Sequence, residues 1–236
     1  MKKRVLFVLI LIMLTFSISL SSCGIFFEEQ SSQYAHIPSN ILEGIPAFDG
    51  ATPYVTINKN IPFFTKEEIV SESFEKYGER DGLGRCTTCI ACIGVDIMPT
   101  EERDDITHID PTGWINIKYD FVPDGYVYHR CHLIGFQLAG ENSNRENLIT
   151  GTRFFNIDGM LPFENKIADY VKKTENHVML RVTPIFHGDN LVANGVLMEA
   201  LSVEDNGKGI CFNVYIYNSQ PGVEIDYATG ETHPEK

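Results

Sequence analysis

The chain has 236 residues, with 32 acidic and 19 basic side chains and a formal net charge of −13. That excess of carboxylates excludes a protein that coats nucleic acid non-specifically, because such binding draws on many lysines and arginines acting together. Turnover on a nucleic acid is not excluded, since a few arginines focused in one cleft suffice for it.

The segment MKKRVLFVLILIMLTFSISLSSCG starts basic, runs apolar from Val5 to Leu20 and ends in small residues at Cys23, the pattern of an export signal. The apolar run is short for a membrane span, which needs roughly 20 apolar residues. Leu20-Ser21-Ser22-Cys23 resembles the bacterial lipobox. That resemblance implies a lipid on Cys23, cleavage before it and a mature chain tethered to the outer face of a membrane; an ordinary cleaved signal with an incidental cysteine is the other reading. Removal of residues 1–22 leaves 16 basic against 32 acidic side chains, a charge of −16. Residues 23–40 are polar and unpatterned and read as a spacer. Residues 41–236 read as one domain, long enough for a sizeable core.

Within that domain YVTI (54–57) alternates as a short strand. Thr65-Lys66-Glu67-Glu68 carries the capping-box pattern and predicts a helix running to Tyr77. After GLGR and a short apolar segment comes a charged loop, EERDD. The turn Pro111-Thr112-Gly113 leads into WINIKY (114–119), whose alternation predicts a strand with Trp114, Ile115 or Ile117 facing a core. Tyr126 to Phe136 is strand-like, and the polar run 139–147 is a surface connection. From Thr152 the apolar period becomes helical. Gly159 and Pro162 interrupt it, which predicts a short turn around Asn156, a kink, and a main helix from about Leu161 to Thr174, with Pro162 tolerated near its first turn. The last third is strand signal: His177 to Phe186, Leu191 to Val203, Ile210 to Tyr217 and Val223 to Tyr227, with His177 taken as structural. The expected fold is α+β, a mostly antiparallel sheet with helices packed against it.

Beyond Cys23 there are Cys86, Cys89, Cys92, Cys131 and Cys211, an odd number. CTTCIAC (86–92) superficially matches iron-sulfur spacing, yet lacks the fourth cysteine and proline of a ferredoxin run and the second ligand pair of a zinc knuckle. Structural thiols or disulfides, a mixture of the two, and a metal site all stay open, and the connectivity is not readable from spacing.

YHRCHLIG (128–135) concentrates two histidines, an arginine and a cysteine. On a strand Arg130 and His132 share one face, while His129 and Cys131 take the other. Joint metal binding by His129 and His132 would favour a helix. A strand instead pairs His132 with Arg130, a base beside a phosphate-binding group, or leaves both as surface decoration.

Downstream lie NLITGT (147–152), Asn156 and Glu164. RCHLIG, NLITGT, Asn156 and Glu164 together resemble the DNA/RNA non-specific endonucleases with a ββα-metal (His-Me finger) core, in particular the streptodornase-like branch. LGR (83–85), IMPTEER (97–103), PTGW (111–114), GMLPFE (159–164), HVMLRVTPIF (177–186) and VLMEALSVEDNG (196–207) are similar to that branch too, and the match spans roughly residues 48–227. The resemblance implies His132 as general base and Asn156 as ligand of a divalent cation, magnesium with manganese or calcium as substitutes. It also implies Arg130 beside the phosphate, Asn147 orienting the histidine or supporting the metal shell, and Glu164 holding metal-bound waters. On a continuous helix Glu164 would lie about 12 Å along from Asn156 and about 80° round, which favours contact through water. The family's DRGH motif departs here at His129 and Cys131.

Arg85 and Arg153 are candidates for further phosphate contacts, against a reading as ion-pair partners. The expected function is a lipid-anchored, metal-dependent nuclease hydrolysing phosphodiesters of DNA, with RNA as a second candidate substrate, to 5′-phosphate ends, with no protein partner. Its rivals are a catalytically silent binding lipoprotein on the same scaffold and a redox or metal lipoprotein built on CTTCIAC.

Overall fold

The computed structural model describes residues 37–235. The expected export signal 1–22, the expected lipidation at Cys23 and the expected spacer 23–40 as far as residue 36 lie outside the described residues. Among the described residues no helix is long and apolar enough to cross a membrane. From Asn40 onward the chain forms one compact unit.

In chain order the strands are β1 (Tyr54–Thr56), β2 (Phe74–Tyr77), β3 (Cys89–Ile93), β4 (Tyr128–His132), β5 (Leu148–Thr152), β6 (Val178–Ile185), β7 (Gly195–Ser202), β8 (Cys211–Tyr217), β9 (Val223–Ile225) and β10 (Thr232–Pro234). The α-helices are α1 (Ser39–Glu43), α2 (Phe136–Ala139) and α3 (Leu161–Thr174). Six strands make the main sheet in the order β1-β8-β7-β6-β3-β2, every neighbouring pair antiparallel. This is the expected α+β architecture. β4 and β5 form a separate antiparallel hairpin.

One face of the sheet carries the core. Val178, Leu180 and Val182 of β6, with Val196, Met198 and Ala200 of β7, meet Phe163, Ile167 and Val171 of α3 and Cys131 and Ile149 of the hairpin. Such alternation is what an antiparallel strand with one apolar face requires. On the opposite face Arg181 and Glu199, partners across the β6/β7 ladder, form a buried ion pair at 2.6 Å. Glu68 closes on the same guanidinium at 2.6 Å.

That contact explains where the capped-helix expectation fails. Glu68 does reach back to the Thr65 N–H at 2.8 Å, but the chain makes only one turn and Phe74–Tyr77 becomes the edge strand β2, paired with β3. Tertiary pairing outweighs local helix preference. WINIKY is also not a strand. The Asn116 side chain takes both backbone groups of Tyr128, donating to its carbonyl at 3.0 Å and accepting from its N–H at 3.1 Å. A side-chain amide thus replaces the ladder, a lone bridge joins Lys118 to Tyr126, and Ile115 and Ile117 stay exposed. The predicted helix Leu161 to Thr174 is α3, with Pro162 in its first turn. His177 sits at the start of β6, its Nδ1 2.6 Å from Glu204.

Glycine lets the hairpin sit close to the core. A Cβ on Gly151 would lie 2.5 Å from Cys131 Sγ and 2.6 Å from the Phe155 ring. We therefore expect Gly151→Ala to destabilise the fold by about 1–3 kcal/mol through overpacking, and Cys131→Ala in that background to recover part of the loss. Urea unfolding of the two single variants and the double variant reads the coupling; strictly additive effects would remove this contact as the cause.

Candidate active site

The hairpin brings the chemistry to one end. In β4 the alternation separates Cys131, fully buried against Gly151 and Phe155, from Arg130 and His132, which face the segment 103–112. Past His132 the chain turns into α2, and Asn147 holds that turn. Its Oδ1 accepts from the Ile134 N–H at 2.8 Å and its Nδ2 donates to the Ile134 carbonyl at 2.9 Å. Asn147 has no exposed surface, so it acts on the site by fixing the backbone that follows His132.

His132 Nε2 lies 2.9 Å from the carbonyl of Asn142. A carbonyl only accepts, so Nε2 carries the proton and Nδ1 the lone pair. Nδ1 receives the Arg103 guanidinium at 3.3 Å. Burial pushes the imidazole pKa down to about 4; the Arg103 charge adds to this and the carbonyl bond opposes it. The ring is therefore a neutral base at physiological pH.

A cleft of about 340 Å³ opens in front of it, lined by Arg103, Arg130, His132, Asn156 and Glu164 among others. Residues Phe155–Met160 form a π-helical turn rather than the expected kink, with the Leu161 N–H bonded to the Asn156 carbonyl five residues back. Such turns recur at functional sites. Gly159 permits it, because a Cβ there would meet Ile216 at 2.5 Å. The turn feeds into α3, so Asn156 and Glu164 line one cleft.

Glu164 is buried in the first turn of α3, its carboxyl so close to Gly135 that a Cβ there would lie 2.7 Å away. Burial raises its pKa to about 7, against lowering by the Gln137 amide and Arg103. The Asn156 Nδ2 lies 3.2 Å from His129 Nδ1. With that nitrogen as acceptor, the amide donor is turned toward β4 and Oδ1 away from it.

Asn156 and Glu164 thus offer oxygen donors only. That set suits a hard divalent cation that keeps most of its waters. Among the described residues no three His, Cys, Asp or Glu side chains converge as a metal cluster. CTTCIAC cannot gather its thiols, because Cys89 and Cys92 are three apart on β3 and point to opposite faces. Cys86 and Cys89 turn to the carbonyls of residues 145–148, and Cys92 to that of Val70. Burial pushes the Cys86 and Cys92 thiols up to about 12, and all five described cysteines are free thiols.

The three arginines expected at phosphates are each engaged with the protein. Arg85 is 2 % exposed, tied to Asp81 at 2.7 Å and to the carbonyls of Gly188 and Asn190, and stacked on Phe186; it serves the fold and is withdrawn from phosphate. Arg153 pairs with Asp124 at 3.0 Å and with Asp158 at 3.7 Å, outside the cleft lining. Arg130 lines the cleft but is engaged: it donates to the carbonyls of Ile109 and Thr107, pairs with Asp110 at 2.8 Å and lies over the Trp114 ring. It pins the 107–110 segment beside β4. Missed from sequence were Arg103, which lies inside the IMPTEER stretch, and His129, whose departure from DRGH was the only signal.

His132 makes stability pH-dependent with a defined sign. Its folded pKa lies below the unfolded value, so its contribution is fully present above about 6.5 and lost as pH falls through about 4. Between pH 7 and pH 4.5 this amounts to roughly 2 kcal/mol. Unfolding by urea at both values should show that difference shrink by that amount in His132→Gln; equal pH dependence in the two proteins would refute it.

A family model described as DNA/RNA non-specific endonuclease matches residues 65–204, a span that holds His132, Asn147, Asn156 and Glu164. A deoxyribonuclease of Streptococcus dysgalactiae subsp. equisimilis is 26% identical over 208 residues, covering 70% of this chain; the chain spans only 62% of that relative's length. Among solved structures, NucA of Streptococcus agalactiae with magnesium bound superposes with a TM-score of 0.71 at 24% identity, over 83% of this chain and 94% of that one. The Sda1 nuclease with a bound zinc ion gives 0.62 at 28% identity, over 69% and 82%.

Proposed function

Because the chain belongs to the DNA/RNA non-specific endonuclease family, we propose that it hydrolyses the phosphodiesters of DNA, and of RNA, in a reaction supported by a divalent metal. The observation that carries this reading is the neutral His132, its Nδ1 lone pair turned into a cleft whose other wall holds Asn156 and Glu164.

His132 takes the proton of the attacking water at Nδ1, while the Asn142 carbonyl holds the Nε2–H and stabilises the imidazolium that forms. Arg103 occupies that nitrogen in the free protein. A phosphate entering the cleft draws the guanidinium onto its oxygens, which frees Nδ1 for water and sets positive charge where negative charge develops. Arg130 keeps the 107–110 segment in place beside the phosphate. Asn156 Oδ1 and, through water, Glu164 would hold the cation, for which magnesium is the proposed ion. When bound, a divalent cation there polarises the phosphate and balances charge on the departing oxygen. The resemblance to the family adds that the 3′ oxygen leaves, giving 5′-phosphate ends. Secretion fits the export segment, and lipid attachment at Cys23 would keep the enzyme at the outer face of a membrane.

Plasmid DNA incubated with the protein and magnesium should be nicked and then degraded, and EDTA should stop this. His132→Ala and Asn156→Ala should each slow cleavage by about 100-fold or more, and Arg103→Ala should lower kcat/KM. An intact plasmid across magnesium, manganese and calcium would sink the nuclease reading; full activity in His132→Ala would discard the base.

A further inference from the structure

Arginine is the scarce resource of this acidic chain, and its placement is uneven. Arg85 and Arg181 are buried in ion pairs with the fold. Arg103 and Arg130 line the cleft. Two more, Arg80 and Arg145, are exposed at the rim of a second depression of about 120 Å³, floored by Cys86, Ile109 and Leu148.

This second depression is joined to the cleft through one ion pair. Asp110 lines it, and the Asp110 carboxylate is bound at 2.8 Å by Arg130, which lines the cleft. Leu148 on its floor is the ladder partner of His132. Cys86 Sγ donates to the carbonyls of Arg145 and Leu148, each at 3.2 Å, and so fixes the backbone that carries Arg145. The carboxylates nearby are largely spoken for. Asp110 is neutralised by Arg130 and Asp81 by Arg85 at 2.7 Å. Glu146 lies 3.7 Å from Arg80, both side chains 42% exposed, a pair of the kind that contributes little and exchanges readily.

We propose that Arg80 and Arg145 form a second phosphate subsite, which takes a backbone phosphodiester of the same nucleic acid whose scissile phosphate lies in the His132 cleft. The inference rests on the nuclease reading and extends it from one phosphate to a track. A polyanion leaving the cleft past the Arg130–Asp110 pair meets these two guanidinium groups next. Arginine suits the role, since its planar fork binds phosphate oxygens in pairs. Contacts to the backbone position a strand without reading its bases, which fits a family described as non-specific.

The test is binding of a labelled duplex oligonucleotide to the mature chain in EDTA, followed by fluorescence anisotropy over a series of sodium chloride concentrations. The Arg80→Gln/Arg145→Gln double variant should raise Kd by roughly 5–10-fold at about 0.1 M salt and flatten the slope of log K against log salt by about 1–2, since each phosphate that a guanidinium neutralises adds about 0.9 to that slope. Arg80→Lys/Arg145→Lys should restore the slope. With magnesium, the Gln variant should raise KM for long DNA while kcat holds. An unchanged affinity, or weaker binding with an unchanged slope, overturns the subsite. Wild-type protein that binds with the steeper slope yet leaves plasmid intact would overturn the nuclease reading and keep the subsite; no wild-type binding would overturn both.

Discussion

Everything at the site depends on the strict alternation of β4. Successive residues of a strand must point to opposite faces, so one five-residue segment serves two masters: Cys131 goes into the core with Gly151 and Phe155, and its neighbours Arg130 and His132 go to the cleft side. The core packing of one face thereby sets the position of His132 on the other. Asn147 extends this control beyond the ladder by holding the Ile134 backbone at both its polar groups. A histidine held this way has little freedom to leave its place.

Burial then decides the protonation states. His132 stays neutral because its ring is desolvated beside a guanidinium, and Glu164 is raised toward neutrality in the same cleft because it too is desolvated. The two groups are driven toward the uncharged form by the same physics, although one is a base and the other an acid. Both groups border a cleft that also holds the Arg103 and Arg130 guanidinium groups. The net charge of the chain says nothing about that local balance, since Arg103 and Arg130 meet in the cleft whatever the sum over the chain.

The same alternation rule that links Arg130 to His132 scatters CTTCIAC. Cys89 and Cys92 read in sequence as a ligand pair, yet on β3 they face opposite sides and hydrogen-bond to carbonyls of different segments. The C-x-x-C spacing favours a site only where the backbone curls, and here it is extended.

Several features were legible from residues alone. The period of 3.6 from Thr152 onward marked α3, and strand signal marked β6, β7 and β8, because those elements carry their packing signal locally. The faces of β4 followed from counting by two. Legible also, through resemblance, were the residues that line the cleft: His132, Asn156 and Glu164. What sequence could not decide was competition between distant groups. Thr65 to Tyr77 looked helical until β3 offered Phe74–Tyr77 a ladder. WINIKY looked like a strand until Asn116 took the backbone of Tyr128. Arg85, Arg130 and Arg153 looked alike as phosphate ligands, and only their neighbours divided them: carbonyls and Asp81 for Arg85, the 107–110 segment for Arg130, and Asp124 with Asp158 for Arg153. Arg103 reached His132 from 29 positions away. Local periodicity determined the elements and the facing of the histidine; the pairing of charges and donors across long sequence separations belonged to the tertiary structure, because a side chain's partner is chosen by proximity in space and no spacing along the chain encodes it.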